Sequence, residues 1–468
     1  MLFNSQIFLV LFLPIVVASF WLLARYRHSG HPGFRLLLLL ASWVFYAYWD
    51  IRLLPLLLAS IIVNYLLISI LVKSPGSKKH FLFIGIALNL SVLGFFKYFN
   101  FFVDNLPVSF GFDVDRFNIV LPLAISFFTF QQISALVDAT REKFHSQTLL
   151  DYALFVSFFP QLIAGPIVRH DQLVPQLQTM PERRDIDTKI ARGLLLLTLG
   201  LAKKVLIADN LAQIANPLFD ASLRAGLHIV DAWIATFAFG FQIYFDFSGY
   251  SDMALGLALM FGIVLPVNFK SPYKSQSLTD FWRTWHITLS SFLRDYLYIP
   301  LGGSRHGPAR RAIAVATTML LGGLWHGAGW NFIIWGGLHG AGIALNQTWR
   351  RLGYTLWPLI GWALTFIFVM ISFLIFRAES AISIYNLLMS VVGLGQPEAP
   401  WVFSLDSLQI TVFIAAFIAA LGLPEPYELS QRHFWKTPWL ATATAMVLVA
   451  IIIYLGGTFE QEFIYFQF

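Results

Sequence analysis

Ile7-Phe-Leu-Val-Leu-Phe-Leu-Pro-Ile-Val-Val-Ala-Ser-Phe-Trp-Leu-Leu23 carries no charged side chain from end to end. About 20 apolar residues in a helix rise the ~30 Å of a bilayer's hydrocarbon core. The segment is therefore read as a transmembrane helix, since an ordinary soluble core helix has no need of such a run. Arg25, Arg27 and Arg35 follow at once. Basic loops stay on the cytoplasmic side, which puts the N-terminus outside. The run has no basic leader and no small-residue cleavage site, so a cleaved signal peptide is not expected.

The pattern then repeats. Apolar runs lie at about 36–49, 53–72, 81–102, 119–138, 152–168, 192–208, 229–246, 250–266, 312–325, 329–346, 354–376, 381–394, 406–423 and 437–456. Several are too short to span alone and read as tilted or re-entrant pieces, which are tolerated only inside protein or along a cavity. Phe159-Pro-Gln-Leu-Ile-Ala-Gly-Pro-Ile167, with two prolines and a glycine, is one of these. The expectation is an all-α polytopic membrane protein, one integral-membrane domain over 1–468, with roughly eleven to thirteen crossings.

Composition agrees. The 468 residues are 57% hydrophobic and only 12% charged, where a soluble domain has about 25% charged. The net charge of +6 would raise nucleic acid as a partner in a soluble protein. Here the basic residues sit in short loops, as topology signals do: Lys73, Lys78 and Lys79; Arg141 and Lys143; Arg183, Arg184 and Lys189. The longest polar connection, 268–311, carries Lys270, Lys274, Arg283, Arg294, Arg305, Arg310 and Arg311 and reads as cytoplasmic. Its Trp282, Trp285, Phe292, Tyr296 and Tyr298 suggest helices lying at the membrane interface. No basic stripe with exposed aromatics appears, so the partner is the lipid bilayer and not nucleic acid. With no cysteine, thiolate metal sites, a cysteine nucleophile and an acyl-thioester on the chain are excluded.

Chemistry concentrates in two segments. In Leu321-Gly-Gly-Leu-Trp-His326-Gly-Ala-Gly-Trp-Asn331, four glycines make a regular helix costly and let backbone approach a ligand or another helix. An ionisable group at membrane depth is a functional candidate, and imidazole suits proton transfer near neutral pH. The bland alternative for His326 is a buried histidine bonded to a carbonyl across the bundle. His286 lies in Phe281-Trp-Arg-Thr-Trp-His286. If that stretch is helical, Trp282 and Arg283 share its face, and the residues alone favour an interfacial belt of Trp, Arg and His. His339, in Trp335-Gly-Gly-Leu-His339-Gly, reads as a packing residue or a partner of the other two. The histidines lack the i, i+3 or i, i+4 pairing of a helical metal site, so no metal is expected. Phe245-Asp246-Phe-Ser-Gly-Tyr-Ser-Asp252 places two carboxylates in apolar surroundings, either as tunnel groups or beside a Ser-Gly turn capped by Ser248 or Ser251.

Taken together and in order, Phe159-Pro-Gln-Leu-Ile-Ala-Gly-Pro166, Phe245-Asp-Phe-Ser-Gly-Tyr-Ser-Asp252, Phe281-Trp-Arg-Thr-Trp-His286, Arg294-Asp-Tyr-Leu-Tyr-Ile-Pro-Leu-Gly-Gly303, Leu324-Trp-His326-Gly and the terminal Phe463-Ile-Tyr-Phe-Gln-Phe468 resemble the membrane-bound O-acyltransferase family. Within it they are similar to the subgroup serving alginate O-acetylation and bacterial cellulose acetylation. The resemblance implies a helical bundle around a central tunnel, with the family's essential histidine at His326 and its second position at His286. It implies acetyl-CoA as cytoplasmic acyl donor, with no bound cofactor. It also implies a periplasmic serine-dependent, SGNH-hydrolase-like partner, a polysaccharide synthesis and export complex, and a bacterial inner-membrane location.

On that expectation His326 serves as base or transient acyl carrier and His286 orients or polarises the acyl carbonyl. Trp325, Asn331, Trp282, Arg283, Asp246 and His339 are candidates for the substrate path, and Lys270, Lys274 and Arg305 for the donor's phosphates. The rival readings are D-alanyl transfer toward teichoic acid and a proton-coupled transporter, although the inverted repeats of many transporters are not evident.

Overall fold

Helix makes up every regular element of the computed structural model, which describes residues 1–73, 78–106, 119–141, 147–181, 185–305, 307–396, 405–432, 437–457 and 461–464. Lys143, Arg183, Arg184 and the tail 465–468 lie outside the described residues. Among those described, five helices are long and apolar enough to cross a membrane: Ile7–Tyr26, Ile51–Lys73, Lys78–Asp104, Pro358–Arg377 and Pro438–Gly456. Ile229–Met260, Gly307–His326 and Trp330–Arg351 are as long, at 32, 20 and 22 residues. Their polar, charged and glycine residues keep them below that apolar standard.

The chain divides into two compact units. The first comprises Met1–Thr198, Tyr250–Pro266 and His433–Glu462. Its first helix turns Val10, Leu11 and Ile15 outward, each more than half exposed, a surface only lipid can solvate favourably. The opposite side, Phe8 and Phe12, packs with Phe45 and Phe159 at ring distances of 5.5–6.3 Å. Helices Leu54–Lys73 and Lys78–Leu93 are joined by a reciprocal amide pair, Asn64 with Asn89, at 2.7 and 3.3 Å. Such pairs satisfy polar groups where no water is available. The proline-bearing stretch folds as one short helix, Phe159–Leu162, followed by irregular backbone to Arg169. All of 158–168 is buried, as non-helical backbone in a membrane protein must be.

The second unit comprises Leu199–Gly249, Val267–Arg432 and Phe463–Phe468. Its core gathers Phe239, Phe241, Tyr244, Phe247, Tyr273, Phe281, Trp285, Trp335, Phe366 and Phe373. Helices Gly307–His326 and Trp330–Arg351 form an antiparallel hairpin joined by Gly327-Ala-Gly329. They touch at backbone distance: a Cβ on Gly323 would lie 2.2 Å from the Phe332 carbonyl oxygen.

Two sequence expectations are corrected. The runs 229–246 and 250–266 were expected to part at a capped Ser-Gly turn, but Ile229–Met260 is one helix running straight through Ser248 and Gly249. Gly249 is there for packing, because a Cβ would sit 2.8 Å from the Gly200 carbonyl oxygen. The aromatic stretch of 268–311 is also no surface belt. Trp285 and Phe292 are buried, and His286 is 0% exposed.

Candidate active site

His286 stands at a break in the chain. Helix Leu278–Thr284 ends before Trp285, which is extended, and His286 takes the left-handed conformation, φ +42°. Helix Ile287–Leu293 then begins, with the His286 carbonyl accepting from Ser290 N–H at 2.9 Å. A non-glycine residue in this region costs on the order of 1–3 kcal/mol and persists only where its surroundings enforce it. The enforcing partner is the segment beginning at Asn268. Ile287 N–H donates to the Asn268 carbonyl at 2.9 Å, and Lys270 N–H to the Thr284 carbonyl at 3.0 Å. The break also overturns the single-face expectation: Trp282 and Arg283 belong to the preceding helix and do not share a helical face with His286.

The segment is itself held. Ser271 N–H donates to Glu425 Oε1 at 2.8 Å, and Tyr244 OH to the same oxygen at 2.5 Å. Lys203 Nζ lies 3.0 Å from Glu425 Oε2. Trp362 Nε1 donates to the Tyr273 carbonyl at 2.9 Å.

His326 is the last residue of helix Gly307–His326 and is 5% exposed. Rings surround it: Trp325 at 5.0 Å, Trp335 at 5.2 Å edge-on and Phe376 at 5.4 Å. Trp325 reaches across to His286 at 6.3 Å, and Phe247 meets His286 edge-on at 4.6 Å. Trp325 and the two candidate histidines thus form one buried cluster. The Trp335 indole N–H is buried and has no hydrogen-bond partner among the described residues.

The other predicted residues scatter. His339 is fully buried with both nitrogens engaged. An indole N–H only donates, so the 3.2 Å contact from Trp282 Nε1 makes His339 Nδ1 an acceptor. Ser372 Oγ gives its proton to the Val369 carbonyl at 2.7 Å and accepts from His339 Nε2 at 3.0 Å. The imidazole thus bridges Trp282 and Ser372. Asn331 donates to the Phe376 carbonyl at 2.8 Å, tying two helix ends together. The Arg283 side chain is 72% exposed and faces Asp280 at 3.6 Å. Lys270, Lys274 and Arg305 are exposed, with Lys274 Nζ on the Leu423 carbonyl at 2.7 Å.

Asp246 is part of a buried ionic cluster. Its Oδ1 pairs with Lys204 Nζ at 2.7 Å, Lys204 pairs again with Asp209 at 2.7 Å, and Asp246 Oδ2 accepts from Ile464 N–H at 2.9 Å. Lys204 also lies over the Phe463 ring at 4.7 Å. Both carboxylate oxygens of Asp246 are thus committed, to Lys204 and to the Ile464 N–H. Sequence reasoning missed Lys203 and Lys204 as partners, although adjacent lysines inside an apolar run are a readable signal of buried pairing.

Comparison with known proteins gives one direction. The profile of the MBOAT, membrane-bound O-acyltransferase, family matches residues 44–385. The chain is 37% identical, over 100% of its length and 98% of the other, to a peptidoglycan O-acetyltransferase of Helicobacter pylori. It is 39% identical, over 100% of both chains, to the protein named probable alginate O-acetylase AlgI in Azotobacter vinelandii. Against a teichoic acid D-alanyltransferase of Streptococcus thermophilus it is 28% identical over 54% of its length and 68% of the other's.

Proposed function

Since the chain belongs to the membrane-bound O-acyltransferase family, we propose that it carries acetyl groups from cytoplasmic acetyl-CoA across the inner membrane for esterification of an extracytoplasmic glycan. Family membership makes it a membrane O-acyltransferase and sets it apart from a transporter. The observation that carries the proposal is the buried pair His286 and His326 beside Trp325, in a chain aligned end to end with O-acetyltransferases.

The residues suit the reaction. An acceptor hydroxyl attacks the thioester carbonyl only as its proton leaves, and the departing thiolate needs a proton back. The two imidazoles move that proton inside a site walled by Trp325, Trp335, Phe376 and Phe247, where exclusion of water limits hydrolysis. The Trp335 indole N–H supplies a donor for the acyl carbonyl oxygen, where negative charge builds up. Exposed Lys270, Lys274 and Arg305 attract the donor's phosphates. An external N-terminus is the orientation that the basic residues after the first helix favour. The immediate acceptor is a periplasmic serine-dependent partner working with the polysaccharide export machinery.

The test is mass spectrometry of the host's glycans, together with acetyl release from acetyl-CoA by protein reconstituted in vesicles. His326→Ala should abolish esterification without changing membrane insertion. Trp335→Phe, which keeps an aromatic though smaller ring and removes the donor, should lower the rate by about 10²-fold. Full esterification by His326→Ala would overturn the assignment. The 28% relative favours one second reading, D-alanyl transfer; alanyl rather than acetyl esters on the polymer would select it.

A further inference from the structure

We infer that Asn268 is a positioning residue that holds His286 as the Nδ1–H tautomer, so that Nε2 presents a lone pair to the site. The inference rests on the acyl-transfer reading above for its purpose, though not for its geometry. Asn268 is 1% exposed. Its Oδ1 accepts from the Thr288 backbone N–H at 3.3 Å and from Thr288 Oγ1 at 3.0 Å, and His286 Nδ1 lies 3.1 Å from the same atom.

The assignment follows from donor chemistry. A backbone N–H only donates, so the amide atom facing Thr288 is the oxygen and not the nitrogen. An amide oxygen only accepts, so an imidazole nitrogen at hydrogen-bond distance from it carries a proton. Neutral imidazole has one N–H. With that proton on Nδ1, Nε2 is the basic atom.

The consequence sharpens the role of His286. A neutral His286 cannot polarise a carbonyl through Nε2, because it has no proton there to offer. It takes one instead. The acceptor hydroxyl's proton passes to His286 Nε2 as the hydroxyl oxygen bonds to the acetyl carbon. When the carbon–sulfur bond breaks, the thiolate takes that proton and the imidazole returns to neutral. The left-handed backbone at His286 belongs to the same device, because Asn268 holds the two residues that follow it, Ile287 N–H on its carbonyl and Thr288 on its side chain.

The readout that a merely structural role would not move is the tautomer itself. Nitrogen-15 NMR of histidine-labelled protein in lipid, with His286 assigned by loss of its signal in His286→Asn, should show the proton on Nδ1. In Asn268→Leu that preference should be lost and kcat should fall by about 10²-fold or more, with KM for acetyl-CoA little changed. Asn268→Asp keeps an acceptor oxygen and should restore turnover. Trp325 neighbours both His286 and His326, and Trp325 and Phe247, whose rings meet His286, are uncharged. A carboxylate at 268 therefore stabilises the imidazolium and moves the acid limb of the rate profile to higher pH. A wild-type His286 protonated on Nε2, or Asp and Leu variants equally inactive with unchanged tautomer, would overturn the inference. Because the NMR result needs no turnover, it stands or falls separately from the acyltransferase assignment.

Discussion

Two histidines in tryptophan-rich sequence, His339 and His286, receive different treatments. His339 has every nitrogen committed, to Trp282 and Ser372, whereas His286 has its Nδ1 aimed at an amide oxygen. His339→Leu should therefore cost stability more than chemistry. It strands the Trp282 N–H in the interior, a loss of roughly 1–3 kcal/mol. Thermal unfolding in detergent should show the drop, while the folded fraction keeps its rate per molecule; a selective loss of rate would place His339 in the reaction. The sequence made His286 and His326 visible because an ionisable group in apolar context is conspicuous. Asn268 was not visible. An asparagine between Val267 and Phe269 has the look of a turn residue, and only the folded chain brings it to a histidine 18 positions away.

Among the elements, the hairpin Gly307–His326 and Trp330–Arg351 sets the position of His326, since the histidine ends the first helix and Trp335 lies on the second. Gly323 and Gly322 offer a controlled comparison. A methyl on Gly323 meets the Phe332 carbonyl oxygen at 2.2 Å, which is backbone and cannot turn aside. On Gly322 it meets the Leu293 Cδ1 at 3.1 Å, the end of a flexible side chain. Gly323→Ala should destabilise by about 1–3 kcal/mol through overpacking and displace His326, and Gly322→Ala should be far milder. Unfolding midpoints and acetyl release of the two variants, measured side by side, check this; equal behaviour would mean that the hairpin spacing does not set the site. The glycine-rich pattern was legible as a close approach, but which glycine makes it was not, because that depends on helix register. The helix running through Ser248 and Gly249 shows the converse case. Local turn signals were outweighed there by packing against Gly200.

At the scale of the whole chain, apolar runs with basic flanks disclosed an all-helical membrane protein, while the lysines in an apolar run signalled buried pairing without naming the distant Asp246 and Ile464 that complete it. Removing one member of a buried ion cluster costs about 3–5 kcal/mol, because it leaves charge without compensation. Lys204→Met should accordingly lower the unfolding midpoint sharply, and adding Asp246→Asn should recover part of the loss. A double-mutant cycle by thermal unfolding checks this, and strictly additive effects would deny the coupling. The same tie has a consequence in time. Ile464 is 218 residues downstream of Asp246, whereas Lys204 is only 42 upstream. At about 5–20 residues per second of synthesis, the lysine and aspartate must shelter one another for on the order of 10–40 s before the segment around Ile464 that completes them leaves the ribosome. The second carboxylate on Lys204, from Asp209, is then more than redundancy. It keeps the nascent protein's buried cation neutralised while the rest of the chain is still being made.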